Sequence, residues 1–348
     1  MTTIPTFSIA DFLAADDPVP AAQALCRACH DIGFLYVVDH GVPADFVEHY
    51  FGLLEQFFAL PDAVKAGIDK RRSPHFRGWE AVGAELTNNR VDHREQLDLC
   101  TEHPPYGPEA EPPYLRLDGP NPWLPDEVLP GFRAAVEQFF AETGRVAWTL
   151  MEAMSLGLGL DRHHLRNLFG ERPFSLVKLI HYPTTPPGEA GVNAHHDAGF
   201  LTLLWQHGVS GLQVENQDGD WIDVPVDDGA IVVNLGEMLQ SMTGNYFVAT
   251  NHRVIATEER FSSAYFHGPG LTTSLAPLPL DDRFADAVEA SPRHRSAGFM
   301  AKRDELLAGA AGTISTSADT YGQQLWNYFT RSYPELVRRH HPALVGSE

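Results

Sequence analysis

The sequence predicts a mostly β core with flanking helices, closed as a sandwich or barrel. Three observations carry this. From residue 174 to residue 266 the chain breaks into short apolar runs, at 176–182, 201–205, 212–215, 221–224, 230–234, 248–252 and 262–266. Turn-forming clusters such as Gln217-Asp218-Gly219-Asp220 and Asp227-Asp228-Gly229 lie between them, and short strands at this spacing belong to such folds. Upstream, apolar residues recur at helical spacing instead. Hydrophobic residues make up 43% of the chain, enough for a sizeable core, which excludes global disorder. A length of 348 residues exceeds one average domain, yet large β folds reach this size as single units.

Taken in order, Thr6 to Ile9 reads as a short strand and residues 21–31 as a helix. Residues 33–42, Gly-Phe-Leu-Tyr-Val-Val-Asp-His-Gly-Val, form a β-rich run closed by a glycine turn. Residues 43–60 read as a second helix, with Phe46, Tyr50, Leu53, Leu54, Phe57 and Phe58 on one stripe; a stripe of this kind is core. The polar stretch 71–94 reads as a loop leading into a strand at 96–99, and the proline-rich segment 102–130 as an irregular connection. Pro130 is expected to start a long helix through about Leu158, since proline suits a first helical turn. A short helix is expected at 161–169, a loop with helical pieces at 286–312, and one amphipathic helix over 321–337. There is no internal repeat. The expected division is residues 1–130, a helix and strand region packed on the core, and residues 131–348, the catalytic region, forming one integrated unit.

The chemistry concentrates at residues 193–199, Asn-Ala-His-His-Asp-Ala-Gly. In an extended run, residues two apart share a face, so His195 and Asp197 reach one metal while His196 points away. His252, within Asn251-His252-Arg253, supplies a second imidazole. Two histidines and one carboxylate form the facial set that leaves positions open on a non-haem Fe(II). Arg260 and Ser262 follow as an Arg-x-Ser on one strand face, eight residues after His252. A guanidinium fork beside a hydroxyl suits a terminal carboxylate. Tyr182, at the end of Lys178-Leu179-Ile180-His181-Tyr182-Pro183, can add its hydroxyl.

These motifs, together with the run 33–42, resemble the 2-oxoglutarate/Fe(II) oxygenases of the isopenicillin N synthase-like superfamily. The resemblance spans about residues 6–334. The local phrases at 260–269 and 321–334 are similar to bacterial members, including ethylene-forming enzymes. It implies a double-stranded β-helix, a jelly-roll variant, with a helical N-terminal region. It implies Fe(II) held by His195, Asp197 and His252, the co-substrate 2-oxoglutarate held at its far carboxylate by Arg260, Ser262 and Tyr182, and dioxygen as oxidant. The expected reaction oxidises a C–H bond of a small metabolite and releases succinate and CO2. The gap from His252 to Arg260 is slightly short for the superfamily, and a tight hairpin turn is expected to absorb it. Asn193 and Asn251 are either donors that support the ligands or ordinary turn residues.

The loop at 76–94 is expected to cover the barrel mouth. Glu85, Arg77, Trp79 and Lys178 are then the substrate candidates, and they suit a small polar or zwitterionic compound. A formal net charge of −21 argues against nucleic acid or an anionic membrane as partner. A monomer or weak homodimer is expected. Cys26-x-x-Cys29 lies in a helical pattern with no strand before it, so a redox pair is not indicated. Residues 1–11 lack the basic start and apolar core of a signal peptide and no apolar run reaches 18 residues, so a cytoplasmic protein is expected. Three rival readings are a same-fold Fe(II) oxidase that uses no 2-oxoglutarate, a Zn(II) hydrolase, and a jelly-roll binding protein without activity. Ethylene-forming breakdown of 2-oxoglutarate is a further possibility within the family. The Zn(II) reading lacks a His-Glu-x-x-His helix and leaves Arg-x-Ser without a role.

Overall fold

Most apolar runs of the second half pair into two facing sheets in the computed structural model, which describes residues 4–88, 90–291, 293–294 and 320–344; of the run 248–252 only His252 is in a strand, which continues to Val254. In chain order the first strands are β1 (Thr6–Ser8), β2 (Phe34–Val38), β3 (Gly78–Glu80), β4 (Leu86–Thr87), β5 (Arg90–Val91) and β6 (Glu95–Cys100). The next are β7 (Leu176–Tyr182), β8 (Val192–His195), β9 (Leu201–His207) and β10 (Leu212–Glu215). The last are β11 (Trp221–Asp223), β12 (Ile231–Leu235), β13 (His252–Val254) and β14 (Arg260–His267). One sheet of eight strands runs β1-β2-β12-β9-β14-β7-β6-β3, and a smaller one runs β11-β10-β13-β8. The two close as a jelly roll. Strands from the first hundred residues complete both edges of the larger sheet.

Strand alternation divides that sheet into two faces. Register pairs Arg260 with Tyr182, Ser262 with Ile180, and Ala264 with Lys178, so these side chains look into the barrel. Register also pairs Gln96 with Ile180 and Asp98 with Lys178, which carries the same inward face onto β6. The opposite face, with Val177, Leu179, Leu203 and Tyr265, is buried under helices.

The helices are α1 (Ile9–Ala14), α2 (Val19–Asp31), α3 (Ala44–Ala59), α4 (Asp62–Lys65), α5 (Phe132–Gly157), α6 (His164–Leu168) and α7 (Glu237–Met242). Then come α8 (Asp282–Ala290), α9 (Tyr321–Ser332) and α10 (Pro334–His340). On α3 the predicted stripe is the buried one: Tyr50, Leu53, Leu54, Phe57 and Phe58 face inward. Tyr50 stacks on Phe139 of α5 at 4.3 Å and its hydroxyl bonds Ser263 Oγ at 2.8 Å. Each such side chain contributes about 1.5–3 kcal/mol by leaving water.

Four expectations need correction. The helix after the proline-rich segment starts at Phe132, with Gly131 at positive φ as its cap, so Pro130 lies outside the first turn. The polar stretch 71–94 is not irregular throughout, because it holds β3 and the β4–β5 hairpin. The final helix is two helices: Tyr333 leaves helical geometry ahead of Pro334, as a residue before proline tends to do. His252 and Arg260 do not share a hairpin. β13 pairs with β8 and β10 in the small sheet, whereas β14 pairs with β7 and β9 in the large one. The short connection is an arch between sheets. Of the segment 286–312, residues 286–290 are helical and most of the rest lies outside the described residues. No helix among the described residues is long and apolar enough to cross a membrane.

Candidate metal centre and its pocket

His195 ends β8 and His252 begins β13, and the two are directly paired across that antiparallel ladder. Asp197 lies just beyond the strand end. The turn after it folds back because Glu237 N–H donates to Asp197 O at 2.8 Å and Gly236 N–H to Phe200 O at 2.8 Å. Asp197 Oδ1 stands 3.5 Å from His195 Nε2 and 3.7 Å from His252 Nε2. The three ligand atoms lie within 4.8 Å of one another, while His196 is exposed.

Their surroundings fix which atom faces the metal. His195 Nδ1 contacts Asn193 O at 2.8 Å and His252 Nδ1 contacts Thr250 O at 3.1 Å. A carbonyl only accepts, so each Nδ1 carries the proton and each Nε2 keeps its lone pair for a metal. The Asp197 Oδ2 atom accepts from Thr202 Oγ1 at 2.5 Å and Asn234 Nδ2 at 2.6 Å. That leaves Oδ1 available to a metal. Burial alone would raise the Asp197 carboxyl, but His252, His195 and Thr202 outweigh it and hold it well below the usual range. Burial, then His195, pulls His252 down to about 4. One carboxylate oxygen and two imidazole Nε2 atoms within 4.8 Å of one another make a donor set that fits a divalent metal. Thr202 and Asn234 carry no sequence signal, because they reach Asp197 through strand register. Asn193 supports His195 through its backbone carbonyl, and Asn251 instead bonds Glu215 at 2.9 Å.

Arg260 is fully buried beneath the inward face. Its Nη1 donates to Ser262 Oγ at 3.0 Å and Nη2 to Gln206 Oε1 at 3.1 Å, and the guanidinium lies 4.9 Å over the Tyr182 ring. Its Nε has no partner among the described residues, and no carboxylate there pairs with it. Burial draws its pKa below the ordinary arginine value. A buried cation without a counter-charge is costly, and a carboxylate ligand would complete it.

The substrate candidates separate into two pairs. Glu85 and Lys178 meet at 3.1 Å, inside a buried ionic network. Arg94 Nη2 donates to Glu85 Oε2 at 2.7 Å, Lys178 reaches Asp98 at 3.2 Å, and Lys70 reaches Asp98 at 2.7 Å and also Glu80. Tyr328 and Tyr333, from α9 and the break behind it, touch Glu85 and Glu80 from above. Burial would raise the Glu85 carboxyl, but Lys178 and Arg94 hold it well below the usual range. Arg77 and Trp79 stand elsewhere. Arg77 donates to the carbonyls of Leu117 and Gly119 and to Asn121 Oδ1, tying down the proline-rich segment. Trp79 pairs in register with Leu97 on the outer face and donates to Glu95 at 2.9 Å. Asp98 and Lys70 escape a reading of the sequence: the β6–β7 register sets Asp98 opposite Lys178, and Lys70 reaches Asp98 from outside that ladder.

The chain is similar to known proteins along most of its length. Residues 4–127 match the family described as non-haem dioxygenase in morphine synthesis N-terminal. Residues 173–269 match the 2OG-Fe(II) oxygenase superfamily. A 2-oxoglutarate-dependent dioxygenase of Gibberella zeae is 34% identical, over 99% of this chain and 92% of its own. A homoarginine-6-hydroxylase of Glycine max is 30% identical, over 80% of this chain and 88% of its own. Among solved structures, a full-length Neurospora crassa protein in complex with alpha-KG and 5-formyluracil superposes with a TM-score of 0.70 at 27% identity, covering 79% of this chain and 88% of that one.

Proposed function

The chain belongs to the 2OG-Fe(II) oxygenase superfamily and is an Fe(II)- and 2-oxoglutarate-dependent dioxygenase of a small metabolite, and from this we propose that His195, Asp197 and His252 hold the iron. Arg260, Ser262 and Tyr182 hold the distal carboxylate of 2-oxoglutarate. When bound, iron and 2-oxoglutarate let dioxygen oxidise a substrate C–H bond, with release of succinate and CO2. The residues of the chain bind, orient and exclude water. Thr202 and Asn234 keep one Asp197 oxygen occupied and so aim the other. The apolar interior around Ile180, Val232, Val254 and Ala264 keeps the floor of the barrel dry.

We further propose a small cationic or zwitterionic substrate that presents several hydrogen-bond donors to Glu85, Asp98 and Gln96. The single observation that carries this is the composition of the pocket network. Lys70, Arg94 and Lys178 face Glu80, Glu85, Asp92 and Asp98, one carboxylate more than there are cations. Asp98 Oδ1 and Gln96 Oε1 are buried on the inward face with no partner among the described residues. Unmet buried acceptors are costly, and a donor-rich cation would meet them. The similarity to a homoarginine-6-hydroxylase supports the same class.

Anaerobic reconstitution with Fe(II), then a succinate assay with homoarginine, arginine, citrulline and thymine, tests the reading. Succinate release stimulated most by the guanidino compounds and less by citrulline, a zwitterion with a neutral side chain, is the expected result. Stimulation by thymine instead would favour a neutral base, as in the Neurospora crassa complexes. Product without succinate would favour the same-fold oxidase. We propose that the enzyme acts as a monomer or weak homodimer without nucleic acid or membrane, which the net charge of −21 supports. Free, buried Cys26, Cys29 and Cys100 support a cytoplasmic setting.

A further inference from the structure

The strand that carries His195 is an edge. β8 pairs with β13 on one side and has no strand on the other among the described residues. An unpaired edge leaves backbone groups without partners and lets the strand move. Here the segment around the β4–β5 hairpin covers that edge, largely with side chains. Asn193 N–H donates to Asp92 Oδ1 at 3.1 Å, Asn88 Nδ2 donates to Ala194 O at 2.7 Å, and His93 N–H donates to Ala190 O at 3.2 Å.

Asp92 is the hub of this cover. It is fully buried. Its Oδ1 also accepts from Asn193 Nδ2 at 2.9 Å, and its Oδ2 accepts from Thr87 Oγ1 at 2.6 Å. Arg94 Nη2 lies 3.2 Å from the same Oδ2, and that Nη2 donates to Glu85 Oε2 at 2.7 Å. On the far side, Asn193 O is the acceptor that orients His195 Nδ1. A continuous set of contacts thus runs Glu85–Arg94–Asp92–Asn193–His195, from a carboxylate of the substrate pocket to the imidazole at the metal.

We infer that Asp92 is a positioning residue that holds the His195 strand in register and couples the charge at Glu85 to the affinity of the metal centre. This rests on the assignment of His195 as a metal ligand. The carboxylate replaces a missing strand neighbour, and through Arg94 its hold on Asn193 depends on what Glu85 is bonded to. Removing the charge of Glu85 leaves the shared Arg94 Nη2 to Asp92 alone, which draws the Asp92 carboxylate toward Arg94 and loosens its hold on Asn193.

The test is Co(II) titration of the metal-free full-length protein, followed by the visible spectrum of the bound ion, with no turnover needed. Wild type, Asp92→Ala, Asp92→Asn, Glu85→Gln and the Glu85→Gln/Asp92→Asn double variant are compared, with thermal melts to confirm folding. Asp92→Ala should weaken Co(II) binding about tenfold to a hundredfold, the range for residues that orient metal ligands. Asp92→Asn keeps an oxygen for the Asn193 N–H and should recover most of that loss. Glu85→Gln should weaken binding about threefold to tenfold in the wild-type background and have no further effect beside Asp92→Asn, whose side chain no longer pairs with Arg94. Wild-type affinity in folded Asp92→Ala, or an equal Glu85→Gln effect in both backgrounds, overturns the inference. If Asp92→Ala does not fold, the Asn and Gln cycle decides alone. If the wild type itself binds no Co(II), the metal assignment falls and this inference with it.

Discussion

His195 and His252 are direct cross-strand partners whose ring centroids lie 4.3 Å apart. With Asp197 Oδ1 within 3.7 Å of both Nε2 atoms, loss of either ring or of the carboxylate removes one corner of a three-cornered site. His195→Ala, Asp197→Ala and His252→Ala should each abolish Fe(II)-dependent turnover. His196→Ala should leave metal binding largely intact. Metal titration of the four variants checks this, and loss of iron in His196→Ala with retention in His195→Ala would contradict the assignment.

Arg260 has hydroxyl and amide partners but no anion among the described residues. Arg260→Ala should therefore raise the KM for 2-oxoglutarate roughly tenfold to a hundredfold, the worth of a charge-assisted hydrogen bond, with Fe(II) affinity nearly unchanged. The same reasoning predicts that Arg260→Met raises the melting temperature of the ligand-free protein, because an uncompensated buried cation gives way to apolar volume. An unchanged KM in Arg260→Ala would remove this residue from the co-substrate site.

At saturating Fe(II), Glu85→Gln should depress substrate oxidation while sparing the slow conversion of 2-oxoglutarate to succinate in the absence of substrate. The two rates are separated by measuring succinate with and without substrate. Equal loss of both at saturating Fe(II) would place Glu85 in the co-substrate or metal site instead.

His267 supplies a pH dependence away from the metal. It is buried between Phe169 and Trp148, with ring centroids at 4.6 and 4.5 Å. Burial, then Arg166, pulls it down from 6.5 to about 3. The folded state therefore keeps the ring neutral while the unfolded chain takes up a proton below about 6.5. Its contribution is fully present above that pH and is lost as pH falls toward 3, at up to about 1.4 kcal/mol per unit. His267→Phe should flatten the fall of melting temperature between pH 6.5 and 4. An unchanged slope would show that His267 is not the group responsible.

Gly236 packs its α-carbon against the turn that follows Asp197, and a β-carbon there would lie 2.1 Å from Gly199 O. Gly236→Ala should cost about 1–3 kcal/mol of stability by overpacking and should weaken iron binding. Urea unfolding and metal titration read the two effects separately.

What is legible in the sequence follows from distance along the chain. His195 and Asp197, or Arg260 and Ser262, stand two residues apart, and a period of two is visible without a fold. The stripe on α3 is visible for the same reason, at a period near four. Pairings that need register are invisible: Thr202 and Asn234 on Asp197, or Asp98 beside Lys178. The β4–β5 hairpin escapes notice because each strand is two residues long and its apolar pair, Leu86 and Val91, stands exposed with no alternating pattern around it. Arg77 and Trp79 are misplaced because residue type alone suggests a pocket wall. Their partners are backbone carbonyls near Gly119 and the Glu95 carboxylate on the outer face.

The side-chain cover on the outer edge of β8 bears on how such an enzyme is re-engineered. Residues 85–94 hold both the pocket carboxylate and the bonds that seat the neighbouring strand. A designer who redraws the pocket wall one position at a time also edits the splint on the metal strand. Grafts that import residues 83–94 together with 190–195 from one donor should keep their iron, whereas grafts of the loop alone should lose it before any new specificity is seen.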